Sequence, residues 1–177
     1  MPLRVFPVAG GASYSDDWAD PRSGGRSHAG NDLFSNEGVP LLAVDDGDVR
    51  FGSDPLGGNI ANLRSPDGTR YYYAHLVRFQ GTNRFARAGE IIGYMGRTGN
   101  AANTPVHLHF EVHPGGGAAV NPFPLLQRAP IRAAGGAVAS SRSLILPLAF
   151  AGAVGLGVYA YLNPGSTRST LRRWGLG

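Results

Sequence analysis

The chain of 177 residues carries five histidines, and their placement is more informative than their number. The segment Val106-His107-Leu108-His109-Phe110-Glu111-Val112-His113 alternates strictly between apolar and ionisable side chains. In an extended strand this puts Val106, Leu108, Phe110 and Val112 on one face and His107, His109, Glu111 and His113 on the other. A second piece is His28-Ala29-Gly30-Asn31-Asp32, whose spacing of four keeps His28 and Asp32 on one side in either a strand or a helix, so both can reach one cation. Joined by His109, they supply two imidazoles and a carboxylate and leave a fourth position for water. That is the layout of a catalytic zinc site rather than a closed structural one. Cysteine is absent, which removes thiolate sites, thiol catalysis and disulfides together. The donor set suits zinc best and leaves Mn, Fe and Co open. The third piece is Tyr71-Tyr72-Tyr73-Ala74-His75-Leu76, read as a strand with Tyr71, Tyr73 and His75 on one face. A lone histidine there is ordinarily structural, but this one has company. Glu111 is placed to orient a ligand, and Asn59 and Tyr73 read as groove residues. His113, about 13 Å along the strand from His109, is too far to share the ion and is expected at the rim.

Such residues need a scaffold that brings distant segments together. From Leu3 to Gln127 short apolar runs alternate with turn clusters such as Asp45-Asp46-Gly47, Ser65-Pro66-Asp67-Gly68 and Arg97-Thr98-Gly99-Asn100. The expected strands are Leu3–Ala9, Pro40–Val44, Asp48–Gly52, Asn59–Arg64, Thr69–Leu76, Glu90–Tyr94 and Val106–His113. No apolar period of 3.6 persists, so the fold class is all-β with an antiparallel sheet. The 27 Gly and 13 Pro fit a turn-rich folded chain, and no Gly-X-Y period is present.

At this point the sequence resembles the lysostaphin/LytM-type zinc endopeptidases of bacterial cell walls. The resemblance rests on His28-Ala-Gly-Asn-Asp32, then Tyr-Ala-His75-Leu, then His107-Leu-His109-Phe-Glu, in that order, with supporting context at Pro40-Leu-Leu-Ala-Val-Asp-Asp-Gly, Leu56-Gly-Gly-Asn and Ala88-Gly-Glu-Ile-Ile-Gly-Tyr-Met-Gly. It covers roughly residues 4 to 127. It implies that His28, Asp32 and His109 hold Zn2+, and that His75 and His107 act catalytically on the bound water and the developing oxyanion. Which of the two is the base stays open. It also implies hydrolysis of a peptide bond in peptidoglycan, in a stem peptide or cross-bridge. The competing reading is a non-enzymatic wall-binding or assembly module. Only 27 residues precede His28, too few for a blocking pro-segment, and no standard export signal is visible.

The rest of the chain is of another kind. All 12 acids lie at or before Glu111 with 10 of the 16 Arg, whereas residues 112–177 carry six Arg and no acid. The positive charge therefore sits outside the folded part, which argues against a nucleic-acid partner. Residues 128–143 are Ala, Gly, Ser and Arg without a packing period and read as a flexible linker spanning on the order of 20 Å. Residues 144–162 contain no charge and as a helix would be about 28 Å long, matching a bilayer core of ~30 Å. They are expected to form one transmembrane helix followed by a basic tail at 163–177. Ala149, Ala153 and Gly157 give that helix a small-residue face suited to self-association. Arg168, Arg172 and Arg173 after the span against Arg132 and Arg142 before it favour a cytoplasmic C-terminus. The expected location is a membrane, single-pass with a C-terminal anchor, in a cell envelope or virion membrane. A phage-encoded lytic enzyme reconciles the anchor with the missing leader.

Overall fold

A computed structural model describes residues 2–134. The strands are β1 (Pro21–Arg22), β2 (Arg26–Ser27), β3 (Asn31–Phe34), β4 (Pro40–Leu42), β5 (Gly47–Asp54), β6 (Gly58–Arg64), β7 (Arg70–Ala74), β8 (Arg78–Phe79), β9 (Arg84–Ala86), β10 (Ile91–Tyr94) and β11 (His107–His113). Six of them form one sheet in the order β3-β11-β7-β6-β5-β9, three form a second in the order β4-β10-β8, and β1 pairs with β2. The expectation of an antiparallel all-β domain is met, since every pairing is antiparallel.

The turn chemistry read from the sequence explains the central ladder. At the β5–β6 turn, Asp54 Oδ1 accepts hydrogen bonds from the amides of Leu56 (2.9 Å) and Gly57 (2.6 Å). Gly58 follows at φ 63°, where a side chain would also collide with Thr98. At the β6–β7 turn, Asp67 Oδ1 accepts from the amide of Thr69 (3.0 Å), and Gly68 adopts φ 87°. Both turns let the chain reverse without register slip, and the register in turn decides which side chains share a face.

The core lies between the two larger sheets. Leu33, Leu63, Tyr71, Tyr73, Leu108 and Phe110 from the large sheet meet Leu41 and Ile92 from the small one, all fully buried. Each such side chain contributes on the order of 1.5–3 kcal/mol by leaving water. Tyr73 clamps the layers: its hydroxyl donates to Leu42 O and accepts from Val44 N, both at 3.0 Å. The opposite face of β11 is thereby left free to line a cleft.

Three features differ from the sequence expectation. Leu3–Ala9 is buried beside β4 but forms only the bridge Val8–Leu41, because Pro7 has no amide to continue a ladder. Strands β1, β2, β3, β8 and β9 are absent from the expected set; with two to four residues each they are too short to show a period. The folded part also continues past Gln127, since the amides of Phe6 and Gly10 donate to Pro130 O and Arg132 O, both at 2.8 Å. The rest of the expected linker, the expected span at 144–162 and the tail at 163–177 lie outside the described residues. Among those described, no helix is long and apolar enough to cross a membrane.

Candidate metal centre

Strand pairing assembles the site. In the β3–β11 ladder, Asp32 lies directly opposite His109, so their side chains emerge side by side on the cleft face. His28 arrives from the segment just before β3, fixed by backbone hydrogen bonds between His28 N and Asp20 O and between Ala19 N and His28 O (both 2.9 Å). His28 Nε2 lies 2.8 Å from His109 Nδ1 and 3.1 Å from Asp32 Oδ1, and the last two atoms are 3.1 Å apart. Gly30 permits this approach: a Cβ there would strike the carbonyl of Phe110 and crowd the His109 ring.

These three atoms fit a metal ion. Ligand atoms around a tetrahedral zinc stand about 3.3 Å apart, so the observed triangle needs to open by only a few tenths of an ångström. His109 Nε2 faces Glu111 Oε1 at 2.9 Å, which places its proton there and turns the Nδ1 lone pair inward. Burial alone would lower the pKa of His28, but hydrogen bonds to Asp17 and Asp32 outweigh it and raise the value to about 9. His109 is raised in the same way against burial by Asp32 and Glu111. Burial would raise Asp32, yet the two imidazoles hold it far below the carboxylate range. At these three donors the balance therefore favours positive charge.

His107 and His75 complete the constellation. The rings of His75 and His107 are 4.8 Å apart, and His75 lies 6.1 Å from His109. His107 Nδ1 donates to Pro105 O at 2.8 Å, and its Nε2 is 3.8 Å from Asp32 Oδ1. His75 Nδ1 donates to Thr98 O at 2.9 Å. Burial first, and then neighbouring His107, lower His75 to about 4, so it is neutral at pH 7.

His75 does not reach the cleft by the expected register. Tyr71 and Tyr73 are core residues, and Tyr72 and Ala74 line the cleft instead. The chain leaves β7 after Ala74 and His75 adopts φ 67°, a left-handed conformation that breaks the alternation and swings the imidazole across. Tyr73 is therefore no groove residue. Asn59 is structural too, bonding Thr98 Oγ1 through its amide and Leu76 O through Nδ2. His113 is not at the rim but buried, with Nε2 2.6 Å from Glu111 Oε2 and Nδ1 donating to Gly117 O at 2.8 Å. The result is a continuous polar chain from His109 through Glu111 to His113.

Two contributors gave no sequence signal. Asp17 O lies 2.8 Å from His28 Nδ1, and the Asp17 carboxylate meets the amide of Asp32 at 3.3 Å. Arg22 Nη2 is 2.8 Å from Asp32 Oδ2 and 2.7 Å from His28 Nδ1. Asp17 sits in an irregular segment and Arg22 in the two-residue strand β1, where no period marks a side chain as inward.

Arg22, His28, Asp32, His75, His107, His109 and Glu111 line one cleft of about 640 Å³. The sequence profile of peptidase family M23 matches residues 26–122, a span that holds His28, Asp32, His75, His107 and His109. The chain belongs to peptidase family M23. M23 peptidases are zinc-dependent, and the donor triangle here is of the kind that ion requires.

The M23 domain is 30% identical over 136 residues to the L-Ala--D-Glu endopeptidase of Bacillus subtilis, covering 69% of this chain and 42% of that protein. It is 38% identical over 98 residues to the DD-carboxypeptidase/endopeptidase Mpg of Neisseria meningitidis serogroup B, covering 55% and 22%. Among solved structures, the catalytic domain of lysostaphin from Staphylococcus simulans superposes with a TM-score of 0.59 at 31% identity, covering 66% of this chain and 92% of that one. The chain thus spans less than half the length of the two curated relatives.

Proposed function

We propose that the protein is a zinc metalloendopeptidase that hydrolyses peptide bonds in bacterial peptidoglycan. The observation that carries the reading is the coincidence, in one cleft, of a three-donor metal triangle with two further histidines whose Nε2 atoms are not tied up by backbone.

His28, Asp32 and His109 hold the metal, with Glu111 fixing the His109 ring and Arg22 engaging the second Asp32 oxygen. When bound, zinc makes hydroxide accessible near neutral pH and polarises a carbonyl. His107 is the general base in this reading: its Nδ1 proton is committed to Pro105 O, so Nε2 is the atom that accepts a proton from the attacking water. Once protonated, the same nitrogen can donate to the departing amine. His75, held neutral with its Nδ1 proton on Thr98 O, presents a second acceptor Nε2 beside His107 and orients the polar groups of the reacting peptide.

The proposal extends to location. The uncharged stretch 144–162 and the arginines after it support a single C-terminal membrane anchor, and its small-residue face supports helix self-association. Such an anchor would hold the peptidase in a cell envelope or a virion membrane.

The test is made on the full chain, extracted in detergent and treated with a chelator. Adding one equivalent of Zn2+ is expected to restore turbidity loss of purified cell walls and release of new amino termini. Tight zinc binding with no new amino termini would overturn the enzymatic reading in favour of a wall-binding module.

A further inference from the structure

We infer that the cleft selects peptides bearing a free carboxylate beside the scissile bond, and that Arg26 is the residue that recognises it. This rests on the endopeptidase reading and names its substrate class: anionic stem-type peptides rather than neutral oligoglycine bridges.

On the β1–β2 hairpin, Arg22 and Arg26 are direct cross-strand partners on the cleft wall. Like charges placed opposite one another repel, so the pair stands at a cost unless anions compensate both. Arg22 has its anions, Asp32 Oδ2 at 2.8 Å and Asp17 Oδ2 at 3.3 Å. Arg26 has none: among the described residues it makes no ion pair, and its Nε and Nη2 donate only to Ser23 O (3.1 Å) and Ser23 Oγ (3.4 Å). Those two local bonds orient the guanidinium without neutralising it. The tight Gly24-Gly25 turn, with φ 73° and 71°, fixes the hairpin that carries it.

The acids of the cleft cannot serve Arg26 instead. Asp32 is taken by His28, His109 and Arg22. Glu111 lies between His109 and His113. Asp54 accepts from Tyr72 Oη (2.8 Å) and from the amides of Leu56 and Gly57. Arg26 is therefore a cleft cation without an ion-pair partner among the described residues, and it offers a planar fork of donors, the arrangement that pairs with a carboxylate. A glycine bridge offers only amides to such a group, whereas an acidic stem peptide offers an anion.

The experiment uses the full zinc-loaded chain and three synthetic peptides of equal length: a stem-type peptide with a free carboxylate one residue from the scissile bond, its carboxamide twin, and pentaglycine. The expected kcat/KM for the carboxylate peptide exceeds that for its twin about tenfold, as one charge-assisted contact at a half-open site supplies. Arg26→Gln brings that ratio close to one, chiefly through KM, Arg26→Lys keeps part of it, and added salt shrinks it. Calorimetric binding of the carboxylate peptide to the metal-free chain weakens in Arg26→Gln by a similar factor. A ratio near one in the unsubstituted chain, a ratio retained in Arg26→Gln, or preference for pentaglycine overturns the inference and leaves the endopeptidase reading standing. Cleavage of none of the three peptides with zinc bound overturns that reading, and this inference with it.

Discussion

His109→Ala is expected to lose the metal and the activity together. His109 supplies one of three donor atoms; His107 is held by Pro105 O with its Nε2 3.8 Å from Asp32 Oδ1, and His113 is engaged with Glu111 and Gly117. Losing only the partner that orients a ligand costs about 10–100-fold in metal affinity, so deleting the ligand itself costs more. The fold should survive, because the apolar face of β11, Leu108, Phe110 and Val112, points the other way into the core. Metal content after dialysis, turbidity loss of cell walls and a thermal melt check the three statements. A full equivalent of zinc retained in this variant would contradict the assignment of His109.

His107→Ala should separate the two properties. Its side chain bonds Pro105 O rather than any donor of the triangle, so the variant keeps one equivalent of zinc. Loss of a general base in the cleft lowers the rate about 10²–10⁴-fold. The deficit is expected in kcat more than in KM, since the ring's part is in moving a proton. Metal loss equal to that of His109→Ala would place His107 in the ligand set instead.

Legibility followed the physics of each segment. Strict alternation at 106–113 made β11 readable, because one face had to be core and the other could not be. The even spacing of His28 and Asp32 held through either backbone geometry, so their proximity survived ignorance of the strand. The facing of His75 did not, because alternation assumes an unbroken strand and φ 67° at His75 breaks it. Asp17 and Arg22 were invisible for another reason: they act from an irregular segment and from a two-residue strand, where nothing periodic marks direction. The burial of His113 does not follow from its distance to the ion, because Glu111 bridges it to His109.

His28, Asp32 and His109, from separate parts of the polypeptide, are expected to share one ion. Diffraction from crystals of the zinc-loaded chain, recorded on both sides of the zinc absorption edge, tests it most directly. The expected result is a single anomalous peak about 2.0–2.2 Å from His28 Nε2, His109 Nδ1 and Asp32 Oδ1. A peak bonded to other residues, or density in the cleft without zinc anomalous signal, would contradict it.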